Sequence, residues 1–359
     1  MIDEVTERVD DPSTTKGAAS AGAPAAGRPS GSIGTLSLKN VRLARFRDLA
    51  LVPPIILVVV VGCFVSPNFL TWRNWQDVLV SMSWIGLLVL AEGLVLLTGK
   101  MDLSLESTVG LAPGVAVWLT LPKGINHGLD LVSPGWAIPI TLAVGLVIGL
   151  INAGLIVKLG LNAFIVTLGM LITLRGLLTG ISGGQTFFGM QGSMMYLGTG
   201  SWLGVPVAIW VCVLAYVVAV LALRYLRAGR ALYAIGGNVD AARAAGIRTD
   251  RTVAGVLILA SVLAALAGIM LSGHLASVAS NQGDGAIFTV FAAAVIGGVS
   301  LNGGRGSLVG AFTGILLLYL VQNVLTFGGV SGEWFDFLNG AVILVVLIIT
   351  RVVAGRSKD

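Results

Sequence analysis

Four ionisable residues lie within or at the edge of long apolar runs: Glu92, Asp102, Glu106 and Arg175. A charge at the centre of a bilayer costs about 3 kcal/mol on insertion scales, so such residues usually face a protein interior or a water-filled path. There they can bind a polar solute, relay a proton or hold helices together. Glu92 and Arg175 can pair with each other; equally, the pair can be structural, or each group can snorkel to an interface. Asp102 and Glu106 stand four apart, which places both on one face at the start of a helix, where the dipole favours acids. In that position they either cap the helix or meet a substrate.

No catalytic constellation accompanies these groups. His127 and His274 fall in loops without a cluster of further ligands, so no metal site is expected. Gly93 to Lys100 contains a Gly-Lys pair, but the glycine spacing is wrong for a phosphate-binding loop and Met101 stands where Ser or Thr is needed. The chain does not bind ATP by that device. Cys63 and Cys212 sit inside apolar runs and read as small buried hydrophobes, with no case for a disulfide.

The polar stretch with most local structure is Gly229 to Arg251, GRALYAIGGNVDAARAAGIRTDR. Asn238 can cap a first helical turn, Asp240 suits the positive end of the dipole, and Gly246 can end the helix in a left-handed conformation. About two turns fit between these caps, and Arg243 shares a face with Asp240. So short a helix is unstable alone and needs something to lean on.

Composition sets the medium. Hydrophobic residues make up 56% of the chain and charged residues 11%, with a mean hydropathy of +0.94. That is an integral membrane protein. The net charge of +5 is then a matter of orientation and not of nucleic acid. Residues 1–47 are rich in Ala, Gly, Ser, Pro and Thr and read as a disordered cytoplasmic tail; residues 353–359 form a second short tail. Between them, 48–352 is the membrane domain. The first apolar run follows Arg42, Arg45 and Arg47 without a small-residue cleavage site, so it reads as an anchor that stays.

Apolar runs of about 17 to 22 residues give about ten spans, near 49–66, 78–98, 103–121, 137–157, 162–181, 205–225, 251–272, 286–300, 306–326 and 335–351. The eighth is short, and can be a tilted helix, a half-helix or part of a re-entrant pair. With both termini cytoplasmic, Arg73 and Lys123 alone fall outside, and Arg175 lies in a span. All other Lys and Arg lie inside, as the positive-inside rule requires. The expected fold is therefore an all-α integral membrane protein, with the capped helix in the cytoplasmic loop 229–250 after the sixth span. Trp72, Trp75, Trp136, Trp202 and Trp334 fall near outer span ends, as an interfacial belt. The outer loop Ser182 to Gly204, rich in Phe, Met and Gly, is either a docking surface or a partly inserted gate. Ser107 to Gly114 and Ser307 to Gly314 share the pattern S-x-V-G-x-x-x-G, each opening an outward-running span, which suggests a parallel duplication and close helix packing.

Four stretches, in this order and topology, carry a resemblance: LLTGKMDLSLES (Leu96 to Ser107), NAFIVTLGMLITLRGLLTGISGG (Asn162 to Gly184), GRALYAIGGNVDAARAAGI (Gly229 to Ile247) and AAVIGGVSLNGGRGSLVGAFTGILL (Ala293 to Leu317). From about residue 49 to 351 the chain resembles the membrane permease of sugar-type ABC importers, the ribose/galactose/xylose permease family. The resemblance implies a multi-pass protein of the bacterial plasma membrane that pairs with a second permease copy. It also implies a cytoplasmic ABC ATPase subunit, which binds the ATP and Mg, and an extracytoplasmic substrate-binding protein; this chain has no cofactor of its own. Asn238, Asp240, Ala241, Ala242, Arg243 and Gly246 look like the family's ATPase-coupling helix, with Asp in place of Glu. Glu92, Asp102, Ser104, Glu106, Asn162, Phe164, Thr167 and Arg175 are the candidates for the substrate path.

The chain also departs from the family. It reads Asp102-Leu103-Ser104-Leu105-Glu106-Ser107 where Asp-Leu-Ser-Val-Gly-Ser is usual, Ala163 where Pro is usual, and Glu92 where an uncharged residue is usual. A monosaccharide or polyol is the first expectation, while the added acids keep an amino-bearing or cationic ligand, or a nucleoside, open. A proton-coupled secondary transporter using the carboxylates is the alternative from another class. An integral-membrane enzyme would need clustered His, Asp or Cys at a membrane face.

Overall fold

A computed structural model describes residues 51–348 apart from 125, 126, 191, 333, 336, 342 and 345–347, all within one unit, Leu43–Asp359. The two tails and the basic patch before the first span lie outside the described residues. In lipid, each backbone N–H and C=O must be satisfied within its own segment, and apolar runs therefore become helices. These are α1 (Val52–Val65), α2 (Trp72–Leu97), α3 (Ser104–Thr120), α4 (Ala137–Ala153), α5 (Ala163–Ser182), α6 (Ser193–Thr199), α7 (Val207–Tyr225), α8 (Arg227–Gly237), α9 (Val239–Ala244), α10 (Thr249–Leu275), α11 (Ala286–Ile296) and α12 (Leu308–Phe327). The described residues among 334–348 are also helical. Strands are limited to two-residue pieces: β1 (Phe187–Phe188) pairs antiparallel with β4 (Ser277–Val278), and β2 (Ser201–Trp202) with β3 (Val205–Pro206).

Among the described residues, six helical segments are long and apolar enough to cross a bilayer. They correspond to the second, fourth, fifth, sixth, seventh and ninth expected spans. The first, third and eighth form the shorter helices α1, α3 and α11, and the tenth is described only in part. With 11 residues, α11 rises about 16 Å, roughly half of the hydrocarbon thickness. It is a half-helix.

Two helices form the centre. The apolar window of α2 is 83% buried and that of α10 is 61% buried, against 22% for α5 and 17% for α7. Every residue of α2 from Ile85 to Leu97 is buried, as expected of a helix that is apolar on all sides. Helix α10 packs closely on α4 because the facing positions lack side chains. A Cβ on Gly149 would stand 2.6 Å from the Ile258 Cα, and one on Gly145 would stand 2.6 Å from the Ala265 Cβ. On α7, by contrast, Leu214 and Val218 are exposed, as suits a lipid boundary, and α5 leaves Ile165 and Ile172 exposed.

Several local expectations change. Cys63 is exposed on α1, and only Cys212 is buried; α1 packs too thinly to enclose it. Ser307 does open its helix, accepting from the Gly310 N–H at 3.2 Å. Ser107, however, lies inside α3, which begins at Ser104, and donates to the Leu171 carbonyl at 2.8 Å. The outer loop places Phe187, Met190 and Met194 in the core, and its α6 meets the end of α10 where Gly198 touches the Gly273 and His274 backbone.

Gly149→Leu should overpack the α4–α10 seam, a change that costs about 1–3 kcal/mol, and lower the melting temperature in detergent. Gly169→Ala on α5, where a Cβ meets nothing within 4 Å, should leave that temperature unchanged. Equal behaviour of the two variants would contradict the packing described.

Candidate functional site

The intramembrane polar residues form two clusters. Glu92 is fully buried in α2 and accepts the Asp102 N–H on both carboxylate oxygens, at 3.2 and 3.3 Å. Asp102 precedes α3 and accepts from the Ser104 N–H at 3.0 Å and the Ser104 hydroxyl at 2.5 Å. Asn152 of α4 donates to Asp102 at 3.3 Å and to Ser104 at 2.8 Å. Glu92, Asp102, Ser104 and Asn152 are all 0% exposed. This cluster is a sealed joint between α2, α3 and α4.

The second cluster is partly open. Glu106, 4% exposed, accepts from Arg175 at 2.7 Å, and Arg175, 24% exposed, also pairs with Asp284, 57% exposed. The other Glu106 oxygen accepts the backbone N–H of Ile287, the second residue of α11, at 3.1 Å. Glu106 therefore supplies both an ion-pair partner and a cap for the half-helix, where the dipole favours a negative group.

Two expected pairings do not form. Glu92 does not reach Arg175, because Glu106 and Asp284 take the guanidinium. Asp102 and Glu106 do not share a helical face, because α3 starts only at Ser104 and Asp102 stands outside it as a turn-type cap. The other path candidates lie at the start of α5. Asn162 caps the helix by accepting from the Ile165 N–H at 3.3 Å, Phe164 is half exposed, and buried Thr167 donates to the Ala163 carbonyl at 2.9 Å. Sequence reasoning missed Asn152 and Asp284. Asn152 carried a usable signal, as the only strongly polar side chain in the run 137–157; Asp284 looked like an ordinary loop acid.

At one end of the bundle, α9 begins with Asn238 accepting from the Ala241 N–H at 2.9 Å and is followed by Gly246 at φ +80°. Asp240 and Arg243 are exposed and 3.9 Å apart, and Arg243 also reaches Asp250 at 3.5 Å. Ala242 is buried. The preceding α8 is amphipathic, burying Leu232 and Ile235, and ends against α2, where a Cβ on Gly236 would stand 2.1 Å from the Leu97 carbonyl oxygen. The Gly304 N–H donates to that same carbonyl at 3.1 Å. A cleft of about 540 Å³ opens here between Lys100, Asn238, Arg243, Asp250 and Asn302.

Six apolar helices of bilayer length, with a half-helix capped by the Glu106 carboxylate among them, define a multi-pass membrane protein. The chain belongs to the family described as branched-chain amino acid transport system / permease component, which matches residues 74–347. It is similar to the ribose import permease protein RbsC of Escherichia coli strain K12, at 32% identity over 84% of this chain and 92% of that protein. It is also similar to the autoinducer 2 import system permease protein LsrC of Enterobacter sp. strain 638, at 33% identity over 86% and 87%. A third relative, the probable ABC transporter permease protein y4mJ of Sinorhizobium fredii, is 31% identical over 86% and 90%. No solved structure matches significantly. The protein is thus an ABC transporter permease of the bacterial plasma membrane, a transport subunit of a kind that works with an ATPase and a substrate-binding protein.

Arg175→Met should cost about 3 kcal/mol by stranding a buried carboxylate, read as a lower melting temperature. Adding Glu106→Gln should recover about 1 kcal/mol or more relative to the sum of the single changes. Strict additivity would show that the pair is not coupled.

Proposed function

We propose that this permease imports a monosaccharide or related polyol through a path formed with a second copy of the chain, driven by a separate ATPase that binds the ATP and Mg. In this reading the chain crosses the membrane ten times with both termini cytoplasmic, an orientation supported by the sidedness of its Lys and Arg residues. Helix α9, formed by Val239–Ala244, is the coupling helix. The observation that carries this reading is its mounting: capped by Asn238, seated on buried Ala242, and joined through Gly236 to α2 and through 245–248 to α10. A push on α9 from a closing ATPase would pass to the two helices at the centre of the bundle. ATP does work in this way only by favouring one arrangement of these helices over another.

The sugar assignment draws on the ribose permease among the relatives and on the chemistry of Arg175 and Asp284. A guanidinium donates and a carboxylate accepts, a combination suited to sugar hydroxyls. Glu92, Asp102 and Ser104 hold α2, α3 and α4 together instead of lining the path. Of the three carboxylates a proton-coupled transporter would use, Glu92 and Asp102 are sealed from solvent and Glu106 is held by Arg175 and the Ile287 N–H, which favours the importer reading.

Uptake by proteoliposomes containing this permease, its ATPase and its binding protein tests the coupling assignment. Asp240→Lys and Gly246→Pro should reduce uptake to background, with membrane insertion intact and the ATPase no longer copurifying. Wild-type uptake by both variants would refute the assignment. In the same vesicles labelled ribose should be taken up and labelled leucine should not; the reverse result would assign the substrate to the amino acids of the family description.

A further inference from the structure

Beside α9, helices α2, α7, α8 and α10 enclose an apolar groove of about 600 Å³. Leu94, Val218, Ala222 and Leu259 line its walls, and Arg248 and Arg251 stand at its mouth. Val218 and Leu259 are exposed, so the groove opens towards the surrounding lipid. Along α10, Arg251, Thr252, Gly255, Leu259 and Leu263 line it, and Arg248 stands just before the helix. These steps of three and four residues keep one helix face towards the groove. From Arg251 to Leu263 the helix rises about 18 Å, enough to cover one leaflet of hydrocarbon, about 15 Å.

Two observations indicate what the groove holds. Neither arginine pairs with an acid within 4 Å among the described residues; the acids near them, Asp240 and Asp250, pair with Arg243 instead. The mouth is therefore cationic and the wall apolar. Gly255 lies between them on α10, and a Cβ there would meet nothing within 4 Å. Glycine weakens a helix relative to alanine, and no neighbour in the chain requires its small size. The space it leaves belongs to the groove.

We propose that this groove binds one anionic phospholipid, with an acyl chain along α7 and α10 and the headgroup phosphate on Arg248 and Arg251. Guanidinium groups pair with phosphate oxygens in bidentate geometry, and basic pockets between membrane helices select acidic headgroups. A second copy of the chain seated on this face is an outcome that the test below distinguishes. The site goes beyond the importer reading and stands whether or not α9 docks an ATPase.

The test is native mass spectrometry of the delipidated full-length protein titrated with phosphatidylglycerol or phosphatidylcholine. Wild type should bind phosphatidylglycerol more tightly, and Arg248→Gln with Arg251→Gln should weaken that binding about 30-fold while leaving phosphatidylcholine unchanged. Gly255→Leu should weaken it several-fold with no fall in melting temperature. Equal binding of the two lipids by wild type, or undiminished phosphatidylglycerol binding by both variants, would overturn the proposal. So would disulfide crosslinking between two copies carrying Gly255→Cys, which would assign the groove to a subunit contact.

Discussion

The carboxylate of Glu106 satisfies what the bilayer cannot. A helix that begins inside a bundle exposes its first N–H groups, and neither lipid nor a distant loop supplies acceptors for them. Helix α11 begins in this way, with Ala286 and Ile287 buried. Glu106 accepts the Ile287 N–H with one oxygen and Arg175 with the other, so one side chain joins α3, α5 and α11. Just before it, Gln282 donates to the Val109 carbonyl and the Ser272 hydroxyl, both at 2.9 Å. The loop that returns the chain to the membrane interior is thereby tied to α3 and α10, and an 11-residue helix can persist where a full span would otherwise be needed.

The sealed cluster around Asp102 does a related job near the C-terminal end of α2. The Asp102 N–H satisfies Glu92, and the Asp102, Ser104 and Asn152 side chains bond to one another, while the Asn152 carbonyl oxygen is buried without a partner. A network of this kind specifies one arrangement because any slip leaves a polar group unpaired in a low-dielectric surround. Helix α2 is thus held near Glu92 and again at Leu97, where the carbonyl accepts from Gly304 and touches Gly236.

Much of this was legible in the sequence, for identifiable reasons. Apolar runs marked the helices because lipid leaves the backbone few other options. The short helix of residues 239–244 was legible because its caps, Asn238 and Gly246, act within a few residues of chain. The ion pairs around Arg175 were not. Whether Arg175 meets Glu92 or Glu106 depends on where α11 starts, and Asp284, its other partner, lies 109 residues further along the chain. The face that Asp102 occupies depended on α3 starting at Ser104, a boundary that the apolar run blurred by two residues. Local signals fixed local structure; the clusters are products of long-range packing.

The contrast in burial indicates where the path lies in the importer reading. A transport path through the middle of this chain would need polar groups between α2 and α10, yet there the side chains are apolar and closely packed. Helix α5 differs: only 22% of its apolar window is buried, and Ile172, Thr173 and Gly176, around half-buried Arg175, are exposed. A charged group on an open helix face is costly against lipid and inexpensive against water or a polar solute. The open side of α5 therefore suits the lumen of an assembly, with Arg175 and Asp284 turned towards it. Glu106 then has two roles in one position, holding the half-helix in place and setting the charge of the surface that a solute would meet.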